Sequence, residues 1–230
     1  MVFEHRGVYC RLNPKPRGSI ILSVINVIQR GFFPMGFKAM FGRFGAAAIR
    51  TYIRVVYRPV CVDLPPEDGA LIYVANHTSY LDGLVMLTAL AKRKPYALAA
   101  KDWFDKKLCG PVFTAARCIP LNRFGLDTSW IRTASEKLRE GSGVIVFPEG
   151  HTVREFGPGE FKPGFVMLSK MTGAGIVCAH HGEFRPFRKN RVYFGPAGRA
   201  YSGPMTAEAL SIAGEEYRQA VILLGEREEK

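Results

Sequence analysis

At 230 residues the chain has room for one full domain and a small appendage, with a core large enough to need no disulfide or structural metal. Hydrophobic residues make up 47% and charged residues 23%, near the globular average, which excludes disorder and collagen-like repeats. The net charge of +12 is unevenly placed: residues 1–60 hold ten Lys/Arg against one acid, Glu4, whereas residues 61–230 hold 22 against 19. No acid occurs between Glu4 and Asp63, so the leading segment suits a polyanion, either nucleic acid or an anionic membrane.

The longest run without a charged residue is the thirteen of Gly69–Leu81, too short for a spanning helix, which takes ~18 apolar residues or more. Met1–Arg17 carries Glu4, Arg6, Arg11, Lys15 and Arg17 with no apolar block before them, so no signal peptide is expected. Cys10, Cys61, Cys109, Cys118 and Cys178 are odd in number and form no CxxC, and read as free thiols in a reducing compartment. His5, His77, His151, His180 and His181 give no zinc-ligand spacing, so no metal is expected.

The basic segment is also apolar. Ile21, Val24, Ile25 and Ile28 line one face of a helix over about Ser19–Phe32, which Gly31 and Pro34 break. A second helix follows, with Phe37, Met40, Phe41, Phe44 and Ala48 on one side and Arg43, Arg50, Arg54 and Arg58 on another. Two readings are open for this pair: an amphipathic anchor lying in a membrane interface, or an ordinary surface pair packed on the domain. Nucleic acid is the weaker partner, because the segment is rich in apolar residues and has no helix-turn-helix, RRM or OB signature.

Beyond Pro65–Pro66 the pattern changes. Strands are predicted at Leu71–Ala75, Tyr96–Ala100, Ala116–Leu121, Val144–Phe147, Ile176–Ala179 and Val192–Phe194. Helices are predicted at Tyr80–Lys92, from Asp127 to about Glu140, from Pro163 to about Met171, and from a Thr206 cap to about Leu224. Short apolar strands alternating with helices imply an α/β fold, with a mixed, mostly parallel sheet flanked by helices over residues 61–230, preceded by the helix pair of residues 1–60.

Four constellations carry chemistry. Asn76-His77-Thr78-Ser79-Tyr80-Leu81-Asp82 follows a buried strand and opens a helix. Asp82, five residues after His77, can hold the imidazole tautomer while His77 takes a proton; the alternative is a structural histidine near an unrelated surface carboxylate. Ser79 is a rival nucleophile, without the GxSxG elbow such a serine usually occupies. Phe147-Pro148-Glu149-Gly150 places a carboxylate at a strand end, where it either bonds a polyol or sits in a plain turn. Lys101 and Arg123, each just past a strand, with Arg154 and Lys162, can form a phosphate site or remain solvated surface charges.

Asn76-His77-x-Ser79-x-x-Asp82, Ile119-Pro120-Leu121-Asn122-Arg123, Phe147-Pro148-Glu149-Gly150 and Phe161-Lys162-Pro163-Gly164, in this order, resemble the glycerophospholipid acyltransferase family, most of all its bacterial 1-acyl-glycerol-3-phosphate acyltransferases. The resemblance spans about residues 60–200. It implies an O-acyltransferase with no cofactor beyond an acyl-CoA or acyl-carrier-protein co-substrate, acting on a lysophospholipid. It implies His77 as general base and Asp82 as its partner, with Lys101, Arg123, Glu149, Gly150, Arg154 and Lys162 around the acceptor. It favours the membrane-anchor reading of the leading helices, and so a monotopic or peripheral protein on the cytoplasmic face of a membrane. Two departures are visible: the family's arginine after FPEG-Thr is replaced by Thr152, and Ile176-Val177-Cys178-Ala179-His180 lacks the proline usual in the fourth block.

Overall fold

The computed structural model describes residues 35–66, 69–122, 128–152 and 158–227. The helix expected over Ser19–Phe32 lies outside these residues. The second helix of the expected pair is α1, Met35–Val56. It belongs to the compact unit that runs from Pro34 to the C-terminus, so the expected division at residue 60 falls inside this unit.

α1 packs on a short helix, α3 (Cys109–Ala115), through its small residues. A side chain at Gly42 would run into the backbone of Pro111, and one at Gly45 would stand 2.8 Å from Val112 Cγ2. Ala46 and Ile53 are buried on the same side, while Met40, Phe44, Tyr52 and Val55 remain exposed. Arg43, Arg50, Arg54 and Arg58 are exposed as well. The face that packs is therefore made of Gly42, Gly45, Ala46 and Ile53, while Phe44, Tyr52 and the basic side chains point outward.

The rest of the unit follows the predicted alternation. Its strands are β1 (Pro59–Val62), β2 (Leu71–Ala75), β3 (Tyr96–Ala100), β4 (Cys118–Leu121), β5 (Val144–Val146), β6 (Gly175–His181) and β7 (Asn190–Phe194). The further helices are α2 (Asp82–Ala89), α4 (Ser129–Arg139), α5 (Gly164–Thr172) and α6 (Ala207–Gly225). A single 3-10 turn, Lys101–Trp103, follows β3. Thr206 caps α6 as expected, its hydroxyl accepting from the Ala209 N–H at 3.3 Å.

The described strands form one seven-stranded sheet in the order β1-β7-β6-β2-β5-β3-β4. Neighbours are parallel throughout except β6 and β7, which pair antiparallel. The mixed, mostly parallel α/β sheet is as expected. Among the differences from the sequence reading are three elements. β1 is a short edge strand opened by a proline, too weak a pattern to stand out. α3 contains Gly110 and Pro111, both poor helix formers. β6 runs past Ala179 because His180 and His181 pair with Tyr193 and Val192.

β2 shows why the central strands are continuous apolar runs: all five of its residues are buried. Ile72 and Val74 join one core with Leu138 of α4, Phe165 and Leu168 of α5, and Val221 and Leu224 of α6. Leu71, Tyr73 and Ala75 join the core on the opposite face with Met86 and Leu87 of α2. Each fully buried side chain of this kind stabilises the fold by about 1.5–3 kcal/mol. Because β2, β3, β4, β5 and β6 run in the same direction, their C-terminal ends share one rim.

Gly42→Ala tests the α1–α3 contact. Overpacking against a backbone costs about 1–3 kcal/mol, which outweighs the roughly 1 kcal/mol of helix propensity gained. Urea unfolding should show a net loss for Gly42→Ala and little change for Ala47→Ser, at an exposed site on the same helix.

Candidate active site

Two hydrogen bonds made by the Asn76 side chain tie the end of β2 to the end of β6. The buried Asn76 donates from Nδ2 to the His181 carbonyl at 2.8 Å, and its Oδ1 accepts from the His181 N–H at 3.0 Å. The next residue, His77, turns off the strand onto the rim with its side chain 20% exposed.

Asp82 opens α2 and is fully buried. Its Oδ2 accepts from His77 Nδ1 at 2.9 Å, the Thr78 N–H at 2.6 Å and the Ser79 N–H at 2.8 Å, and its Oδ1 from the Ser79 hydroxyl at 2.7 Å. Burial would raise this carboxyl; the His77 and Ser79 hydrogen bonds and the charge of His181 outweigh it and hold Asp82 below the usual carboxylate range. An ionised carboxylate can only accept, so His77 carries its proton on Nδ1. Its Nε2 then presents a lone pair, the arrangement of a general base. The Phe147 ring stacks on the imidazole at 4.6 Å and 26°.

The same bonds bear on Ser79. Its hydroxyl donates to Asp82 and accepts from the Leu81 N–H at 3.2 Å. A nucleophilic serine needs its hydroxyl bonded to the base. Here it closes the turn that holds the carboxylate.

Glu149 is 1% exposed and reaches the dyad from the end of β5. Its Oε1 accepts from the His77 N–H at 3.2 Å, and its Oε2 has no hydrogen-bond partner among the described residues. Burial pushes this carboxyl up to about 7, against the opposing pull of His77. Gly150 adopts φ 73°, a conformation that favours glycine, and Lys162 Nζ lies 3.1 Å from where a Cβ would stand. The Lys162 N–H also donates to the Pro148 carbonyl at 3.0 Å. His77, Asp82, Glu149, Gly150 and Lys162 therefore converge. Lys101 is exposed at the end of β3, two strands from β2 along the rim. Arg123 and Arg154 lie outside the described residues.

The sequence reading gave His181 no role. Its side chain is fully buried and stacks on Phe184 at 4.4 Å. Nδ1 donates to the Gly182 carbonyl at 2.9 Å. Nε2 faces Asp82 Oδ2 at 3.8 Å and has no hydrogen-bond partner among the described residues. The one signal in the sequence was a histidine at the end of a buried strand; its partner lies 99 positions earlier and no spacing rule links them.

The fold and site define an α/β protein with a His–Asp base at the C-terminal rim of parallel strands, where such sheets place their reactive groups. The sequence model of the acyltransferase family matches residues 58–181, more than half of the chain, and the chain belongs to that family. A chloroplast 1-acyl-sn-glycerol-3-phosphate acyltransferase of Arabidopsis thaliana is 29% identical over 118 residues, covering 50% of this chain and 32% of the plant protein. The 1-acyl-sn-glycerol-3-phosphate acyltransferase of Bacillus subtilis is 26% identical over 114 residues, covering 50% of this chain and 56% of its own length. The match thus spans about a third of the one relative and just over half of the other. The crystal structure of the 1-acyl-sn-glycerophosphate acyltransferase PlsC from Thermotoga maritima superposes with a TM-score of 0.58 at 18% identity, over 92% of this chain and 90% of that one, and shows the same fold.

Glu149 predicts a pH dependence of stability. Its carboxyl titrates near 7 when folded, against an ordinary 4.5, so the folded chain holds a proton that the unfolded chain releases. Ionisation of the unfolded chain, unmatched in the fold, therefore erodes stability as pH rises through that window. Glu149→Gln should match the wild type below pH 4.5 and gain on it up to about pH 7, then level off. Urea unfolding across this range checks it; a pH-independent difference would show that Glu149 titrates normally.

Proposed function

We propose that the chain transfers a fatty acyl group from a thioester, carried by CoA or acyl-carrier protein, to the free hydroxyl of 1-acyl-glycerol-3-phosphate, giving phosphatidic acid. The observation that carries this reading is the contact of His77 Nδ1 with Asp82 Oδ2 at 2.9 Å, which assigns the proton to Nδ1 and leaves Nε2 as the base. The names of the plant and bacterial relatives support the choice of acceptor.

His77 Nε2 takes the proton of the acceptor hydroxyl as its oxygen attacks the thioester carbonyl. The tetrahedral adduct collapses, the C–S bond breaks, and the proton passes from the imidazolium to the departing thiolate. A thioester is already activated, so a base and a positioned acceptor suffice and no acyl-enzyme forms. Ser79, with its hydroxyl turned to Asp82, supports direct transfer over a serine-esterase route. Glu149 fixes the His77 backbone, and Lys162 and Lys101 supply positive charge for the acceptor phosphate, a role the family resemblance also gives Arg123 and Arg154. The basic segment of residues 1–60 holds the protein at the cytoplasmic face of an anionic membrane, where a lysolipid resides.

His77→Ala should lower transfer by about 10²–10⁴-fold, the usual worth of a general base, measured as phosphatidic acid formed from acyl-CoA and lysophosphatidic acid. Asp82→Asn should leave weak activity, since the imidazole remains and its orientation is lost. Near wild-type turnover in a folded His77→Ala protein would eliminate the mechanism. Lys101→Ala should chiefly raise KM, and more for lysophosphatidic acid than for a lysolipid without a phosphate monoester. Equal losses on both acceptors would mean that Lys101 does not read the phosphate.

A further inference from the structure

The loop between β6 and β7 combines charge, an aromatic ring and an unusual backbone. Arg185, Pro186, Phe187, Arg188 and Lys189 are all exposed. Phe187 is 77% exposed, more than any other large apolar side chain among the described residues, and adopts φ 62°, which side chains bearing a Cβ seldom take up. An exposed phenylalanine in a strained conformation contributes nothing to the core.

The loop is nevertheless firmly held. Its N-terminal and C-terminal halves are bridged by the buried Asn190, whose Oδ1 accepts from the Arg185 N–H at 2.8 Å and whose Nδ2 donates to the carbonyls of Arg185 at 2.9 Å and Arg188 at 3.2 Å. Asn190 Nδ2 also bonds the Tyr57 carbonyl, and the Phe187 N–H donates to the Val56 carbonyl at 2.6 Å. These last two bonds fasten the loop to the C-terminal end of α1.

Topology then decides where the loop points. β6 is parallel to β2, so the chain leaves β6 at the rim that carries His77. β7 returns antiparallel from that rim, and β1, parallel to β7, starts there with Pro59 opposite Asn190. The end of α1, with exposed Arg54, Val55 and Arg58, is thus brought to the same rim as the loop. Tyr80, 70% exposed in the turn between His77 and Asp82, stands there too.

From this arrangement we infer that the Arg185–Lys189 loop is a wedge that docks the catalytic rim on an anionic bilayer: Phe187 enters the acyl region, and Arg185, Arg188 and Lys189 meet lipid phosphates. The choice of a lipid surface rests on the acyl-transfer reading. Charge and shape favour it over a soluble polyanion. The cleft of about 650 Å³ beside the loop, lined by Arg185, Arg188, Lys189 and Arg191, also holds Glu183 and Glu226, whereas the exposed run Arg185–Lys189 that carries the ring has no acid. A soluble phosphate ligand has no use for a solvent-facing phenylalanine. The wedge is distinct from the leading helices, and it orients the site as well as tethering it.

The test uses the full chain and vesicles of equal parts phosphatidylcholine and phosphatidylglycerol. The emission of Phe187→Trp should shift to the blue on these vesicles and be quenched by brominated acyl chains, with the wild-type signal of Trp103 and Trp130 as the reference. Phe187→Gly, which relieves the backbone strain, should still bind roughly tenfold more weakly. Arg185, Arg188 and Lys189 changed together to Gln should lose roughly 10²-fold on these vesicles, with no change on neutral ones. Emission from the vesicle-bound Phe187→Trp variant that neither shifts nor quenches beyond the wild-type reference would overturn the proposal. So would a triple variant that binds vesicles normally but shows a raised KM for acyl-CoA with detergent-dispersed acceptor, which would assign the loop to the donor. None of the vesicle measurements requires turnover. A wedge that inserts in a protein that transfers no acyl group would therefore support this inference while refuting the acyl-transfer reading.

Discussion

The site depends on one buried carboxylate. Asp82 has no exposed surface, and an ion removed from water costs several kcal/mol unless its oxygens are bonded. Four donors meet that demand, and all come from the preceding five residues. To supply two of them, the backbone of Thr78 and Ser79 must turn inward. To supply a third, His77 must present Nδ1, which leaves Nε2 facing out. The position of Asp82 at the first turn of α2 adds the favourable field of a helix N-terminus. The tautomer of the base, the shape of the turn and the engagement of Ser79 are thus one solution to a single solvation problem.

That turn needs a rigid support, and the sheet provides it. Asn76 is the last residue before the turn, and its two bonds to the His181 backbone extend the β2–β6 ladder by a side chain where the strands separate. The same clamp places the His181 ring beneath the carboxylate, so that Asp82 lies between two imidazoles. On the other side of β2, β5 delivers Phe147 against one face of His77 and Glu149 to its backbone N–H. Three adjacent strands therefore fix the base, β2 and β5 through the first residues past their C-terminal ends and β6 through its last residue, His181. A parallel sheet makes this possible because those ends are neighbours.

Much of this was legible in the sequence, for local reasons. His77 and Asp82 lie within one turn, and a buried strand followed by a helix start is written in consecutive residues. The runs at Leu71–Ala75 and Val144–Val146 are apolar at every position because both sheet faces are covered. What escaped depended on distant partners or on small residues. Hydrophobic periodicity weights large side chains, so in α1 it drew attention to Phe44 and passed over Gly42 and Gly45, which do the packing. The bond from the His77 N–H to Glu149 joins positions 72 apart, and a Phe-Pro-Glu-Gly turn reads the same whether its carboxylate faces solvent or the base. Arg123 and Arg154 were singled out as cations past strand ends, and both lie outside the described residues.

Glu149 shows how the base and the acceptor side constrain each other. On the proposed reading, a fully ionised Glu149 would repel the acceptor phosphate from within hydrogen-bond reach of His77. Burial counters this by favouring the neutral acid, which lifts the titration to about 7. As a neutral acid, Glu149 still accepts the His77 N–H through one oxygen and does not repel an anionic acceptor. As an anion it anchors His77 more tightly but repels that acceptor. With Lys162 folded over Gly150 one residue away, a phosphate bound there would itself raise Glu149 further toward the neutral form. On the proposed reading, binding of an anionic acceptor and protonation of Glu149 are thus coupled in the same direction.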